Sequence, residues 1–148
     1  MADDTTKTSP AGFHDLVAWQ LADELASLVY RAFAKLPPNH RWLADQTMRA
    51  AISVPANIAK GHGRGSLGEL LRFIDIARGS LSELEYYIHF LAKESLLPSE
   101  EVAVLQSKRT EVGRVPFGLW RSLKATSKDN WDHTGRIREE GPIYEVTP

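Results

Sequence analysis

Residues 67–91, LGELLRFIDIARGSLSELEYYIHFL, decide the fold. Leu67, Leu70, Ile74, Ala77, Leu81, Leu84, Ile88 and Leu91 follow one another at alternating spacings of three and four. An α-helix turns once in about 3.6 residues, so this spacing returns every one of those side chains to one face. The run is a heptad seam without a miss. A second stripe lies one residue away: Phe73, Ile76, Ser80, Glu83, Tyr87 and Phe90. Together they make a face wider than one antiparallel neighbour covers, which predicts a helix enclosed on several sides. Just ahead, Ser66-Leu67-Gly68-Glu69 fits the S-x-x-E capping box of a helix start.

The preceding stretch, QTMRAAISVPANIAKGHGRGS (residues 46–66), is crowded with small residues and predicts a second helix from about His40 to Gly61, capped by Asn39. Gln46, Arg49, Ser53 and Asn57 recur every three or four residues and form one polar stripe. Pro55 removes one hydrogen bond and predicts a kink near Ala51. Gly61-His62-Gly63-Arg64-Gly65 reads as an inter-helix turn needing positive φ. A hairpin centred near Gly63 puts Gln46 level with Ser80 and Arg49 level with Ala77, one turn from Glu83. The expected seam is therefore Gln46, Arg49, Ser53 and Asn57 against Ser80, Glu83 and Glu85, with Arg49 paired to Glu83 or Glu85. A partly buried pair of this kind adds little net stability but penalises loss of one partner.

Outside these two segments, Leu21, Leu25, Leu28, Ala32 and Leu36 mark a first helix over about Asp15–Leu36, with Asp15 as N-cap and Pro37-Pro38 as its end. After the turn Leu97-Pro98-Ser99, Ser99 caps a fourth helix led by Glu100 and Glu101, acids that suit the positive end of the dipole. Gly113, Pro116 and Gly118 weaken it and predict a kink near Val112–Pro116. From Ala125 onward the pattern is lost. The reading is an all-α, antiparallel up-and-down four-helix bundle over residues 13–124, with a disordered tail at 1–12 and an irregular or disordered tail at 125–148.

At 148 residues the chain fits one domain, and 43% apolar content supplies a core without staples. The absence of cysteine excludes disulfides, thiolate catalysis and cysteine-ligated metal. The polar, acidic start MADDTTKTSPAG is no secretory signal, and no apolar run approaches the roughly 20 residues that span a bilayer. The expected location is cytoplasmic. A net charge of −1 gives no bulk case for nucleic acid. Its distribution is uneven: residues 41–78 carry six basic groups against three acids, and residues 105–128 carry six against Glu111 alone. Such clusters are more often solvated helix faces than binding sites.

Catalytic chemistry finds little support. The glycine run lacks the preceding strand and the Lys-Ser/Thr of a phosphate loop. The five histidines form no paired metal motif, and Glu85 with His89 does not make a di-iron site, which draws carboxylates from all four helices. Ser53 and Ser80 lie mid-helix without a nucleophile elbow. The expectation is no catalytic residue, no cofactor and no metal, with a hydrolytic enzyme as a remote alternative.

The pieces Phe13-x-Asp15-Leu16-x-x-Trp19-Gln20, Gln46-x-x-Arg49-Ala50-Ala51-x-Ser53-Val54-Pro55-x-Asn57-Ile58-Ala59-x-Gly61, and Gly79-Ser80-Leu81-x-Glu83-Leu84-Glu85 carry a resemblance. The chain resembles the small bacterial four-helix-bundle proteins, some of which are encoded within intervening sequences of 23S ribosomal RNA genes. The likeness covers roughly Phe13 to Leu123. It implies an antiparallel bundle, commonly a homopentamer, with no established enzymatic activity. The chain is also similar to the accessory bundle proteins of diversity-generating retroelements, which pair with a reverse transcriptase and nucleic acid. It departs from the family at Lys60, where Glu is usual, and at Gly113, Pro116 and Gly118 in the fourth helix. The functional expectation is a self-associating structural or interaction protein. Its alternative is an RNA- or DNA-binding accessory protein using Arg41, Lys60, His62, Arg64, Arg72, Arg121 and Lys124, repeated around an oligomer.

Overall fold

A computed structural model describes residues 12–129; of the expected tails at 1–12 and 125–148, residues 1–11 and 130–148 lie outside the described residues. A 3₁₀ turn at Phe13–Asp15 leads into α1 (Val17–Phe33), and a second at Pro38–His40 leads into α2 (Arg41–Gly63). α3 (Leu67–Lys93) and α4 (Ser99–Asp129) follow. Each helix packs on the next, and α1 packs on α4, which closes an up-and-down ring with α2 and α4 on one diagonal. The all-α four-helix bundle read from the sequence is the fold.

All eight residues of the α3 seam are buried. Ala77, Leu81, Leu84, Ile88 and Leu91 meet Ala22, Leu25 and Val29 of α1, Leu43, Ala51, Val54 and Ile58 of α2, and Leu105 and Val112 of α4 in one core. Each buried Leu, Ile or Val contributes about 1.5–3 kcal/mol of transfer free energy, which makes this seam the main source of cohesion. A smaller core of Leu67, Leu70 and Ile74 sits at the α2–α3 end, covered by Leu71 and by Trp120 of α4. The second stripe is only partly covered: Phe73 is buried, Tyr87 and Phe90 are half-buried, and Ile76 is 41% exposed.

Local causes differ from the sequence expectation at several ends. Asp15 does not cap α1; its carboxylate accepts the Gly12 N–H at 3.2 Å and tightens the 3₁₀ turn, while Leu16 takes the cap position. Asn39 does not cap α2, because a 3₁₀ turn intervenes and its amide lies 3.4 Å from the His40 ring. α2 runs unbroken through Pro55, whose ring is buried in the helix's packed side. α4 likewise runs through Gly113, Pro116 and Gly118 without interruption, and past Ala125 to Asp129. Its first helical bond joins the Val102 N–H to the Pro98 carbonyl, so Pro98 rather than Ser99 stands at the cap.

Two turns show opposite uses of backbone freedom. Ser66 caps α3 as expected, accepting the Glu69 N–H at 3.3 Å, but the Glu69 carboxylate turns to Arg72 instead of closing the box. Of the three glycines expected to need positive φ, only Gly65 does, at 72°. Gly61 is helical and buried, and its smallness serves contact: a Cβ there would come within 2.9 Å of Phe73 Cβ and 3.2 Å of Leu70 Cα. At the α3–α4 turn, Ser95 takes φ of 56°. The Leu96 N–H reaches the Leu91 carbonyl at 2.9 Å and the Ser95 N–H reaches Ala92 at 3.1 Å, the paired bonds of a Schellman motif.

Candidate functional site

The polar stripe of α2 meets α3 at one point. Ser53 Oγ and Ser80 Oγ are 2.8 Å apart. Asn57 Nδ2 donates to Ser53 Oγ at 2.9 Å and to the Ser53 carbonyl at 2.7 Å, and Ser80 Oγ reaches the Ile76 carbonyl at 3.2 Å. One direction of donation satisfies the chain: Asn57 to Ser53, Ser53 to Ser80, Ser80 to Ile76. Asn57 is buried and Ser53 and Ser80 are half-buried, so these partners remove a desolvation cost that an unpaired amide would carry.

The remaining seam residues fall elsewhere. Because Ser53 rather than Gln46 lies opposite Ser80, the hairpin register is displaced by seven residues on α2, about two helical turns. Gln46 stands half-buried two turns before Ser53. Arg49 pairs with neither expected acid. Glu85 faces α4 and pairs with Arg109 at 3.1 Å, while Glu83 accepts the Tyr87 hydroxyl at 2.8 Å. That bond to Glu83, and then partial burial, hold the Tyr87 phenol above its usual value, and the positive field of Arg49 opposes the shift. Arg49 is therefore a neighbour of the Tyr87–Glu83 pair without an ion pair of its own among the described residues.

The basic set divides between the two ends of the bundle. Lys60 and His62 lie in the last turn of α2, Arg64 in the following turn, and Arg72 in α3. Arg64 and Arg72 both lie over the ring of Phe73, at 5.7 Å and 5.3 Å from its centroid. Arg72 also meets Glu69 at 3.4 Å. Lys60 and Arg64 make no ion pair among the described residues. Arg121 belongs to this end, one residue beyond the Trp120 that packs on Leu67, Leu70 and Ile74. Arg41 begins α2, roughly 28 Å along the helix from Lys60, and does not join the cluster. The Lys124 side chain lies outside the described residues.

Several tertiary contacts escaped the sequence. Arg78 lies 5.0 Å from the centroid of Trp120. Lys35, just past the end of α1, meets Glu101 of α4 at 2.6 Å, and Lys108 of α4 meets Glu24 of α1 at 2.8 Å and its own helix's Glu111 at 3.0 Å. The two carboxylates raise the Lys108 pKa. The only sequence signal for these pairs is charge at outward helical positions, which does not identify the facing helix. Among the described residues no group of three or more metal-ligating side chains converges, and no helix is long and apolar enough to cross a membrane.

Comparison with known proteins agrees with this geometry. A crystal structure from Bacteroides thetaiotaomicron, a protein of unknown function from the S23 ribosomal protein family, superposes with a TM-score of 0.66 at 19% identity. The match covers 71% of this chain and 96% of that one. At that identity the likeness speaks to the fold. No curated protein matches the sequence. Residues 14–117, which span the four helices from the N-terminal 3₁₀ turn into α4, match the family described as 23S rRNA-intervening sequence protein, and the chain belongs to that family.

Proposed function

We propose that this protein is a non-enzymatic interaction protein that assembles with copies of itself through the outward flank of the α2–α3 hairpin. The observation that carries the reading is the apolar surface left on that hairpin by a single chain. Trp42 is 62% exposed, Tyr86 60% and Ile76 41%, beside the half-buried Tyr87 and Phe90. The Ser53–Ser80 contact aligns the two helices. Three turns from it in opposite directions stand Trp42 and Leu91, which brings Trp42 level with the Tyr86–Phe90 aromatic cluster. Aromatic residues on an outward face supply large contact area at low entropic cost, which suits a protein–protein contact. Sedimentation equilibrium at micromolar concentration is expected to return a multiple of the chain mass, five by resemblance to the family. Ile76→Asp is expected to lower that multiple while leaving the helical content unchanged. A monomeric wild-type protein overturns the proposal.

A second reading has one observation of its own. Lys60, Arg64 and Arg72 gather at the α2–α3 turn, two of them over Phe73, and this favours a phosphate-bearing partner such as single-stranded RNA or DNA. Neutralising two or three phosphates predicts that log K falls with log salt at a slope of about −1.5 to −2. Arg64→Gln is expected to reduce that slope by somewhat less than one. No binding at low salt removes this reading without affecting the first.

A further inference from the structure

α2 carries a stripe on the side turned away from the core. Trp42, Asp45, Arg49, Ile52 and Ala56 follow one another at alternating spacings of three and four, so they share one outward face. Trp42 and Ile52 are exposed, Ile52 by 51%, and Asp45 and Arg49 stand exposed between them. Neither charged group makes an ion pair among the described residues. Arg49 acts on the Tyr87–Glu83 pair of α3 only through its field. The order along the stripe is apolar, acid, base, apolar, and it is balanced about one level of the helix. Trp42 and Ile52 each lie five residues from Thr47, and Asp45 and Arg49 each lie two residues from it.

We propose that this stripe is met by the same stripe of a second copy, the two α2 helices lying antiparallel across a two-fold axis at the level of Thr47. The inference rests on the self-association proposed above and names the contact made by the α2 side of that flank. Antiparallel pairing about Thr47 sets each residue level with the one equally far on its other side. Trp42 of each copy then lies level with Ile52 of the other, and Asp45 with Arg49. One register thus matches the apolar contacts and the opposite charges together, and the two-fold axis makes each pairing twice. A parallel pair in register sets Asp45 against Asp45 and Arg49 against Arg49, so the charges also select the direction. The other charges of this face stand to the side. Arg41 lies at the edge toward α1, beside Tyr30 and Pro37, and falls level with Ser53 of the second copy. Lys60 lies about 12 Å along the helix beyond Ile52. From Trp42 to Ile52 the stripe runs about 15 Å, which is short of the roughly 800 Å² per partner of a stable interface. The contact is therefore weak by itself and gains strength when repeated once per chain around an assembly. Being two-fold, it doubles whatever assembly the α3 side of the flank builds.

The test is sedimentation velocity of the full-length protein at low salt over rising concentration, where the wild type is expected to double its mass. Asp45→Arg and Arg49→Asp each set like charges across the axis. Each is expected to raise the concentration needed for doubling about tenfold, with helical content unchanged. An equimolar mixture of these two variants is expected to double at the wild-type concentration, because every mixed pair restores both opposite-charge contacts. The double variant Asp45→Arg/Arg49→Asp is expected to do the same by itself. An assembled wild-type protein whose mass never doubles overturns this proposal and leaves the self-association reading standing. Doubling that either single reversal leaves unchanged overturns it in the same way, and so does a mixture that fails to recover. A single chain at every concentration overturns this proposal together with the reading it rests on.

Discussion

Gly61 carries more of the hairpin geometry than any other residue of its size. The space its missing Cβ leaves is filled by Phe73 and Leu70. Gly61→Ala must push α2 and α3 apart or strain their backbones, and overpacking of this kind costs about 1–3 kcal/mol. Gly63→Ala, two residues on, meets open space and should leave stability within about 0.5 kcal/mol of wild type. Urea denaturation midpoints of the two variants check the contrast. The sequence showed that both glycines lie near a turn. It could not show that one answers to a neighbouring helix, because that demand comes from residues 9 and 12 positions away on another element.

At the scale of an element, the ends are less legible than the interiors. The eight-residue seam of α3 reads off its spacing, since a periodic face is a property of the helix itself. Ser66 was visible as a cap for the same reason: donor and acceptor sit three residues apart. The stop of α3 was not, because Ser95 takes a left-handed φ that glycine usually fills. Ser95→Gly should therefore remove a local strain and raise stability by about 1 kcal/mol, read as a higher thermal midpoint with unchanged helical content. The unbroken course of α4 through Gly113 and Pro116 has a related cause. Helix propensity is a weak prior that tertiary packing overrides, and Val112 beside these residues is wholly buried.

Across the whole molecule, cohesion resides in the shared core and little in the charged pairs at its rim. Leu84 is fully buried at the centre of α3, and Leu84→Ala should cost about 2–5 kcal/mol in a chemical melt. Val104→Ala, on the outer side of α4, should change stability by less than about 0.5 kcal/mol. Ion pairs such as Lys35–Glu101 are exposed and steer the α1–α4 approach more than they hold it. The basic residues illustrate the same dependence on three dimensions. Arg41 and Lys60 share one helix in the sequence, yet the fold sends them to opposite ends and gathers Lys60 with Arg64 and Arg72.

What the amino-acid order determined alone was which face of each helix turns inward, and hence the bundle, because apolar periodicity requires no knowledge of a partner. What only the tertiary structure decided was the register between helices. A shift of seven residues returns every side chain to nearly the same face, so a heptad pattern is blind to it. Shape settles it instead: the close approach at Gly61 and the Ser53–Ser80 contact select one alignment. That choice leaves Arg49 beside Tyr87 and Glu83, and hands Glu85 to Arg109.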